Sequence, residues 1–180
     1  MEVVTTPLSG LLIIKPRIFT DSRGYFFESY NINAYKEAGI DVSFVQDNQS
    51  LSNKGVLRGL HFQNPPYAQD KLVRVIKGRV IDVVVDIRKQ SPTYGQHFKV
   101  ELSGDNNWAL FVPKGFAHGF VCLADDTLFY YKCTDVYNPQ AESGLLWNDE
   151  ALGIDWGIDG PVISEKDLKY DNFINFNSLF

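Results

Sequence analysis

The segment Arg58-Gly59-Leu60-His61-Phe62-Gln63, with Lys71 shortly after it, places a guanidinium, an imidazole and an ammonium inside sequence that otherwise alternates like buried sheet. Ionisable groups in such surroundings need a partner or a task. His61 is one of only three histidines and is flanked by Leu60 and Phe62, so it is either a hydrogen-bonded core group or a proton-transfer residue. An imidazole titrates at about 6.5 when unperturbed and can both take and give a proton near neutral pH. In a regular strand Leu57, Gly59, His61 and Gln63 share one face, and Arg58, Leu60 and Phe62 share the other. Arg58 and His61 can meet in one pocket only if the strand is bulged, and Gly59 is the residue type that permits it.

The elements that must hold these groups are strands. From Leu11 onward, short β-branched and aromatic runs are broken by Gly, Pro, Asn and Asp, the pattern of an all-β sandwich or barrel. Leu11–Ile14 and Tyr25–Tyr30 read as strands joined by the turn chemistry of Phe19–Gly24. Asn33–Gly39 reads as a brief helix with an Asn cap before it and a Gly after it. The amide-dense stretch Phe44–Ser50 is either a solvated edge or a hydrogen-bonding wall. Lys71–Lys77 and Arg79–Ile87 read as a hairpin turned at Gly78, with Asp82 and Asp86 alternating against Ile81, Val83, Val85 and Ile87. His97–Leu102 and Trp108–Val112 continue the meander through a turn at Gly104–Asn107. In Thr127–Cys133, Phe129, Tyr131 and Cys133 share one face and Leu128, Tyr130 and Lys132 the other, so one tyrosine of the pair points inward. The aromatic stretch after Val136 must pack on something and ends in a short helix near Ser164–Lys169.

The chain has 180 residues, 44% hydrophobic and 14% aromatic, enough for one domain with its own core and no need of disulfides. A net charge of -5 argues against nucleic acid held by phosphate neutralisation. Neither a basic leader nor an apolar run long enough for a membrane span is visible, so a cytoplasmic protein is expected. Cys122 and Cys133 lie in apolar strands without metal or redox spacing and read as reduced hydrophobes. His97 belongs to no motif and reads as a surface or structural residue.

The elements Asp21–Glu28, Gln46-Asp47-Asn48, Arg58–His61, Lys71, Pro113–Phe120, Tyr131-Lys132-Cys133, Glu142-Ser143-Gly144 and Lys166-Asp167, in that order, resemble the cupin-type sugar-nucleotide epimerases, the dTDP-4-dehydrorhamnose 3,5-epimerase family. The resemblance implies a cupin-type antiparallel jelly-roll barrel with a few short helices, a homodimer with exchanged N-terminal strands, and a dTDP-4-keto-6-deoxyglucose substrate. It implies His61 as the base, Asp167 as the partner of its imidazole, and Tyr131 as the acid on the far face of the ring. Lys71 and Arg58 are the cations suited to the enolate oxygen. It further implies substrate contacts from Arg23, Glu28, Gln46, Asn48, His118, Glu142 and Lys166, with Phe19 a candidate to stack on thymine. Metal-binding cupins carry a His-x-His pair and a carboxylate. Gln63 stands at the second histidine and Lys71 near the carboxylate, so no metal and no cofactor are expected. The competing readings are an epimerase acting at one carbon, a sugar-nucleotide-binding cupin without turnover, and a metal-dependent cupin oxygenase.

Overall fold

The computed structural model describes residues 1–180, in which two large antiparallel sheets pack face to face and a two-stranded hairpin stands apart. The strands are β1 (Glu2–Thr5), β2 (Leu12–Lys15), β3 (Phe19–Asp21), β4 (Gly24–Phe26), β5 (Gln46–Ser52), β6 (Leu57–Gln63) and β7 (Lys71–Lys77). They continue as β8 (Arg79–Asp86), β9 (His97–Ser103), β10 (Ala109–Val112), β11 (Phe116–Cys122), β12 (Thr127–Cys133) and β13 (Glu142–Gly144). One sheet has the order β1-β2-β10-β7-β12-β5 and the other β13-β6-β11-β8-β9. This is an all-β cupin-type jelly roll, in which a strand pairs with partners distant in sequence. No helix is long and apolar enough to cross a membrane.

The hairpin expected at Gly78 does not form. β7 and β8 belong to different sheets, and so do β9 and β10, so the expected meander through Gly104–Asn107 is also absent. Gly78, at φ +81, is a corner where the chain leaves one sheet for the other, and a side chain there would collide with Thr127. Positive φ serves such a corner as readily as a hairpin turn. Asp82 and Asp86, which alternate with Ile81, Val83, Val85 and Ile87 along β8, are both fully buried. The inner face of β8 sends Val80 and Val84 into the core between the sheets. Its outer face sends Val83, Val85 and Ile87 under the aromatic tail, where Leu152 and Trp156 are buried and Trp147, Phe173 and Phe176 pack against them.

Asp86 shows how such a burial is sustained. Its carboxylate accepts from Arg88 Nε and Nη2, Ser91 Oγ and Thr93 Oγ1 at 2.6–2.9 Å. Burial alone would raise its pKa, but these donors hold it down to about 2. A carboxyl depressed on folding stabilises the fold above its unfolded value near 4, and that contribution disappears as pH falls towards 2. The shift corresponds to about 2 kcal/mol. Asp86→Asn is therefore expected to cost at least about that much at neutral pH, and to flatten the loss of stability between about pH 4 and pH 2. Denaturant unfolding of both proteins across that range measures it.

The first third also departs from expectation. The helix α1 (Ile32–Glu37) starts one residue early, because the Asn31 side chain caps it by accepting from the Asn33 and Ala34 amides. Instead of a strand over Tyr25–Tyr30, β3 and β4 form a separate hairpin whose residues are all exposed, Phe19 and Tyr25 by more than half and Phe26 by 71%.

Candidate active site

His61 is brought into a cavity by an irregularity in its own strand. The β6–β11 ladder pairs His118 with His61 and Phe120 with Arg58, so β6 advances three residues where β11 advances two. That extra residue is the bulge the segment requires, and it turns Arg58 and His61 into the same cavity. Gly59 has φ +142, and a Cβ on it would run into Gly119 Cα. Arg58 then reaches across to the other sheet, its Nε and Nη2 donating to Ser52 Oγ at 3.2 Å.

The Asp167 carboxylate meets His61 Nε2 at 2.8 Å through Oδ1, while Oδ2 accepts from the Gly59 amide at 3.2 Å. Asp167 is only 4% exposed and opens the short 3-10 turn Asp167–Lys169, its own amide bonded to Ser164 Oγ. Burial acts to raise its carboxyl, but the His61 contact and the Gly59 and Ser164 donors hold it below the ordinary carboxylate range. A carboxylate here fixes the imidazole tautomer, leaving His61 Nδ1 as the second ring nitrogen. Tyr170 closes over the ring edge-on, centroids 5.8 Å apart.

The opposite wall comes from the six-stranded sheet. Tyr131 on β12 lies between Val73 of β7 and Asn48 of β5, and Lys71 pairs with Cys133. Alternation sends Phe129, Tyr131 and Cys133 inward, while Tyr130 turns out to donate its hydroxyl to Asp47 at 2.7 Å. Burial, with smaller contributions from Cys133 and Glu142, pushes the Tyr131 phenol up to about 12 despite Arg58. Burial also lowers the Lys71 ammonium from its ordinary value, against the opposing pull of Cys133, Asp82 and Glu142. The cavity between the walls measures about 510 Å³ and takes Arg58, His61, Lys71, His118, Tyr131 and Asp167 into its lining.

The cavity continues into a polar end formed by Gln46, Asn48 and Glu142. Glu142 accepts from Lys166 Nζ at 2.5 Å and from the Tyr137 hydroxyl at 2.6 Å. Gln46 Oε1 accepts from the Tyr137 amide and its Nε2 donates to Asn48. Thus β5 is at once a sheet edge and an amide wall. His118, directly opposite His61, bonds through Nε2 to both oxygens of Asp82 at 3.0 and 2.9 Å. Gln63 spends its amide nitrogen on the Tyr67 and Val136 carbonyls and its oxygen on the Asn138 amide. No three His, Cys, Asp or Glu side chains are grouped as a metal would need.

Three candidate residues lie elsewhere. Phe19 and Arg23 sit on the exposed β3–β4 hairpin, where Arg23 pairs with Asp21. Glu28 bonds Asn31 beside α1. None of the three borders the cavity that holds His61.

The family model for dTDP-4-dehydrorhamnose 3,5-epimerase matches residues 5–175. The chain belongs to this family. It is accordingly an isomerase. The dTDP-4-dehydrorhamnose 3,5-epimerase of Salmonella typhimurium is 53% identical over 169 residues, covering 93% of this chain and 92% of that protein. The crystal structure of a Legionella pneumophila 3,5-epimerase in complex with dTDP-4-keto-L-rhamnose matches with a TM-score of 0.94 at 46% identity, covering 98% of this chain and 94% of that one. A Bacillus anthracis dTDP-4-dehydrorhamnose 3,5-epimerase with TDP and PPi bound gives 0.94 at 45% identity, over 96% and 99% of the two chains.

In this epimerase-family chain, four site residues escaped sequence reasoning. Ser52, which holds Arg58, has no local signal. Tyr137 and Tyr170 fall in the aperiodic tail. Asp82 carried one: a carboxylate in the middle of a Val/Ile strand that is apolar on both sides.

Proposed function

We propose that the chain epimerises dTDP-4-keto-6-deoxyglucose at C3 and C5 to dTDP-4-keto-rhamnose, using its own side chains as acid and base. The observation that carries this is the placement of His61, held by Asp167 from the 3-10 turn, on one sheet and of Tyr131 with Lys71 on the other, across one cavity. The C4 ketone acidifies the protons on its two neighbouring carbons. His61 removes one of them from the face it lines, helped by Asp167, which stabilises the imidazolium that forms. The electron pair moves onto the C4 oxygen, where Lys71 and Arg58 supply preorganised positive charge. Tyr131, still protonated, returns a proton to the same carbon from the opposite face, and the centre is inverted. Repeating the sequence at the second carbon needs a repositioned ring and a reset pair: His61 gives up the proton it took and Tyr131 regains one, by exchange with solvent, before the second removal.

The nucleotide end of the substrate is assigned to the polar end of the cavity, with Gln46, Asn48, Glu142 and Lys166 as contacts, and His118, which stands opposite His61, is assigned to the sugar. Phe19, Arg23 and Glu28 join them in a homodimer, one copy's hairpin arm reaching the other's cavity. The exposed aromatics of that arm, and its distance from its own cavity, support this. Co-expressing Arg23→Ala with His61→Ala tests it. Each variant alone is expected to be impaired, and mixed dimers to recover activity in the one site that receives an intact arm and an intact His61. No recovery would place the arm in cis. The chain is read as a single domain over 1–180, working in the cytoplasm.

The test of the reaction is turnover of dTDP-4-keto-6-deoxyglucose in heavy water, with deuterium counted at C3 and C5 by mass and NMR. Label at both carbons is expected. Label at one carbon would select a single-centre epimerase, and no label with dTDP still bound would leave a binding protein.

A further inference from the structure

Two histidines face one another across the β6–β11 ladder, and each has its own aspartate, but the reaction above employs only the His61–Asp167 pair. Building on that reaction, we propose that Asp82 is a positioning residue, which holds His118 by its Nε2–H and so presents Nδ1 to the sugar.

Asp82 has no solvent exposure and sits on the inner face of β8 between Val80 and Val84. Both its oxygens lie within hydrogen-bond reach of His118 Nε2, and it bonds no other side chain. Stability alone does not account for such a group. A buried ion pair is often no better than apolar side chains of equal volume, and on β8 Asp82 is flanked by the core residues Val80 and Val84. Burial pushes its carboxyl up, while His118 and then Lys71 draw it back. The charged and titratable groups that share the cavity with His118 are Lys71 on β7, Arg58 and His61 on β6, Tyr131 on β12, and Lys166 and Asp167 beside the 3-10 turn.

A carboxylate can only accept, so it selects the tautomer with hydrogen on Nε2. His118 is 7% exposed, that exposure is to the cavity, and its Nδ1 bonds no protein group. In the neutral ring Nδ1 accepts from a sugar hydroxyl. In the charged ring it donates to an oxygen gaining charge beside Lys71. An amide in place of Asp82 can instead donate to Nε2 and reverse the tautomer, as happens when the aspartate of a catalytic triad becomes asparagine.

The test is Asp82→Asn, nearly isosteric, alongside Asp82→Leu, which keeps the layer apolar. Both are expected to bind dTDP as the parent does and to lose about 10- to 100-fold in kcat, the usual cost of removing a carboxylate behind an imidazole. Nitrogen-15 NMR of the dTDP-bound protein is expected to show His118 protonated at Nε2 in the parent and at Nδ1 in Asp82→Asn. Unchanged kcat in either variant would overturn the proposal, as would a loss of kcat that merely follows a loss of dTDP binding and thermal midpoint. Should the parent itself turn over no dTDP-4-keto-6-deoxyglucose, the epimerase reading fails by itself. The NMR comparison still decides the pair, an unaltered tautomer in Asp82→Asn overturning it.

Discussion

His61→Ala is expected to lower kcat/KM by about 10²- to 10⁴-fold, the range for losing a positioned general base, while dTDP binding persists. The separation follows from the site's layout. His61 borders the polar end as well as the main cavity, but the groups assigned to the nucleotide there, Gln46, Asn48 and Glu142, are other residues. Deleting the imidazole also strips Asp167 of its partner at 2.8 Å, but the Gly59 amide and Ser164 contacts remain. Deuterium exchange at both C3 and C5 is expected to fall together, since each proton leaves through the same base. Calorimetric titration with dTDP alongside the exchange assay checks both halves. Full exchange in His61→Ala would remove His61 from the reaction.

Tyr131→Phe is expected to divide the reaction differently. Proton removal by His61 continues, so substrate still exchanges slowly with solvent, but inversion falls by about 10²- to 10⁴-fold because nothing delivers a proton to the far face. Equal loss of exchange and inversion would argue against the phenol as the acid. Because burial raises the phenol to about 12, it stays protonated throughout the working range. The pH profile of kcat/KM is therefore expected to show no alkaline limb belonging to Tyr131. A limb near pH 10, the ordinary phenol value, that vanished in Tyr131→Phe would contradict the burial account.

Much of this was legible in the residues, for physical reasons that differ from case to case. The bulge at Gly59 followed from sterics: Arg58 and His61 cannot share a pocket on a regular strand, and a glycine stood between them. The inward turn of one tyrosine followed from the two-residue period of a strand, with the family resemblance choosing Tyr131. The corner at Gly78 was misread because a glycine reports a local backbone angle, whereas the sheet a strand joins is decided by partners far along the chain. The alternation of Asp82 and Asp86 against Ile81, Val83, Val85 and Ile87 separated two faces of β8 without saying that both are covered. Here the aromatic tail covers the second. The meeting of His61 and Asp167 spans 106 residues of sequence, and no local pattern carries it; only the resemblance pointed there. The arm holding Phe19 and Arg23 was assigned to the site by resemblance too, and within one chain it lies elsewhere.

The division of His61 and Tyr131 between two sheets gives the hydrophobic core a kinetic meaning. In the proposed reaction the span between base and acid is the gap between the sheets, and that gap is filled by the side chains that pack there. Phe129 and Phe120, stacked at 3.9 Å, thus act as a spacer as well as a source of stability. Packed interiors resist compression and transmit strain, so a methylene gained or lost in that layer changes the reach of a proton across the sugar ring. If His61 and Tyr131 act as proposed, the volume of buried side chains and the rate of proton transfer in this barrel are set by the same few atoms.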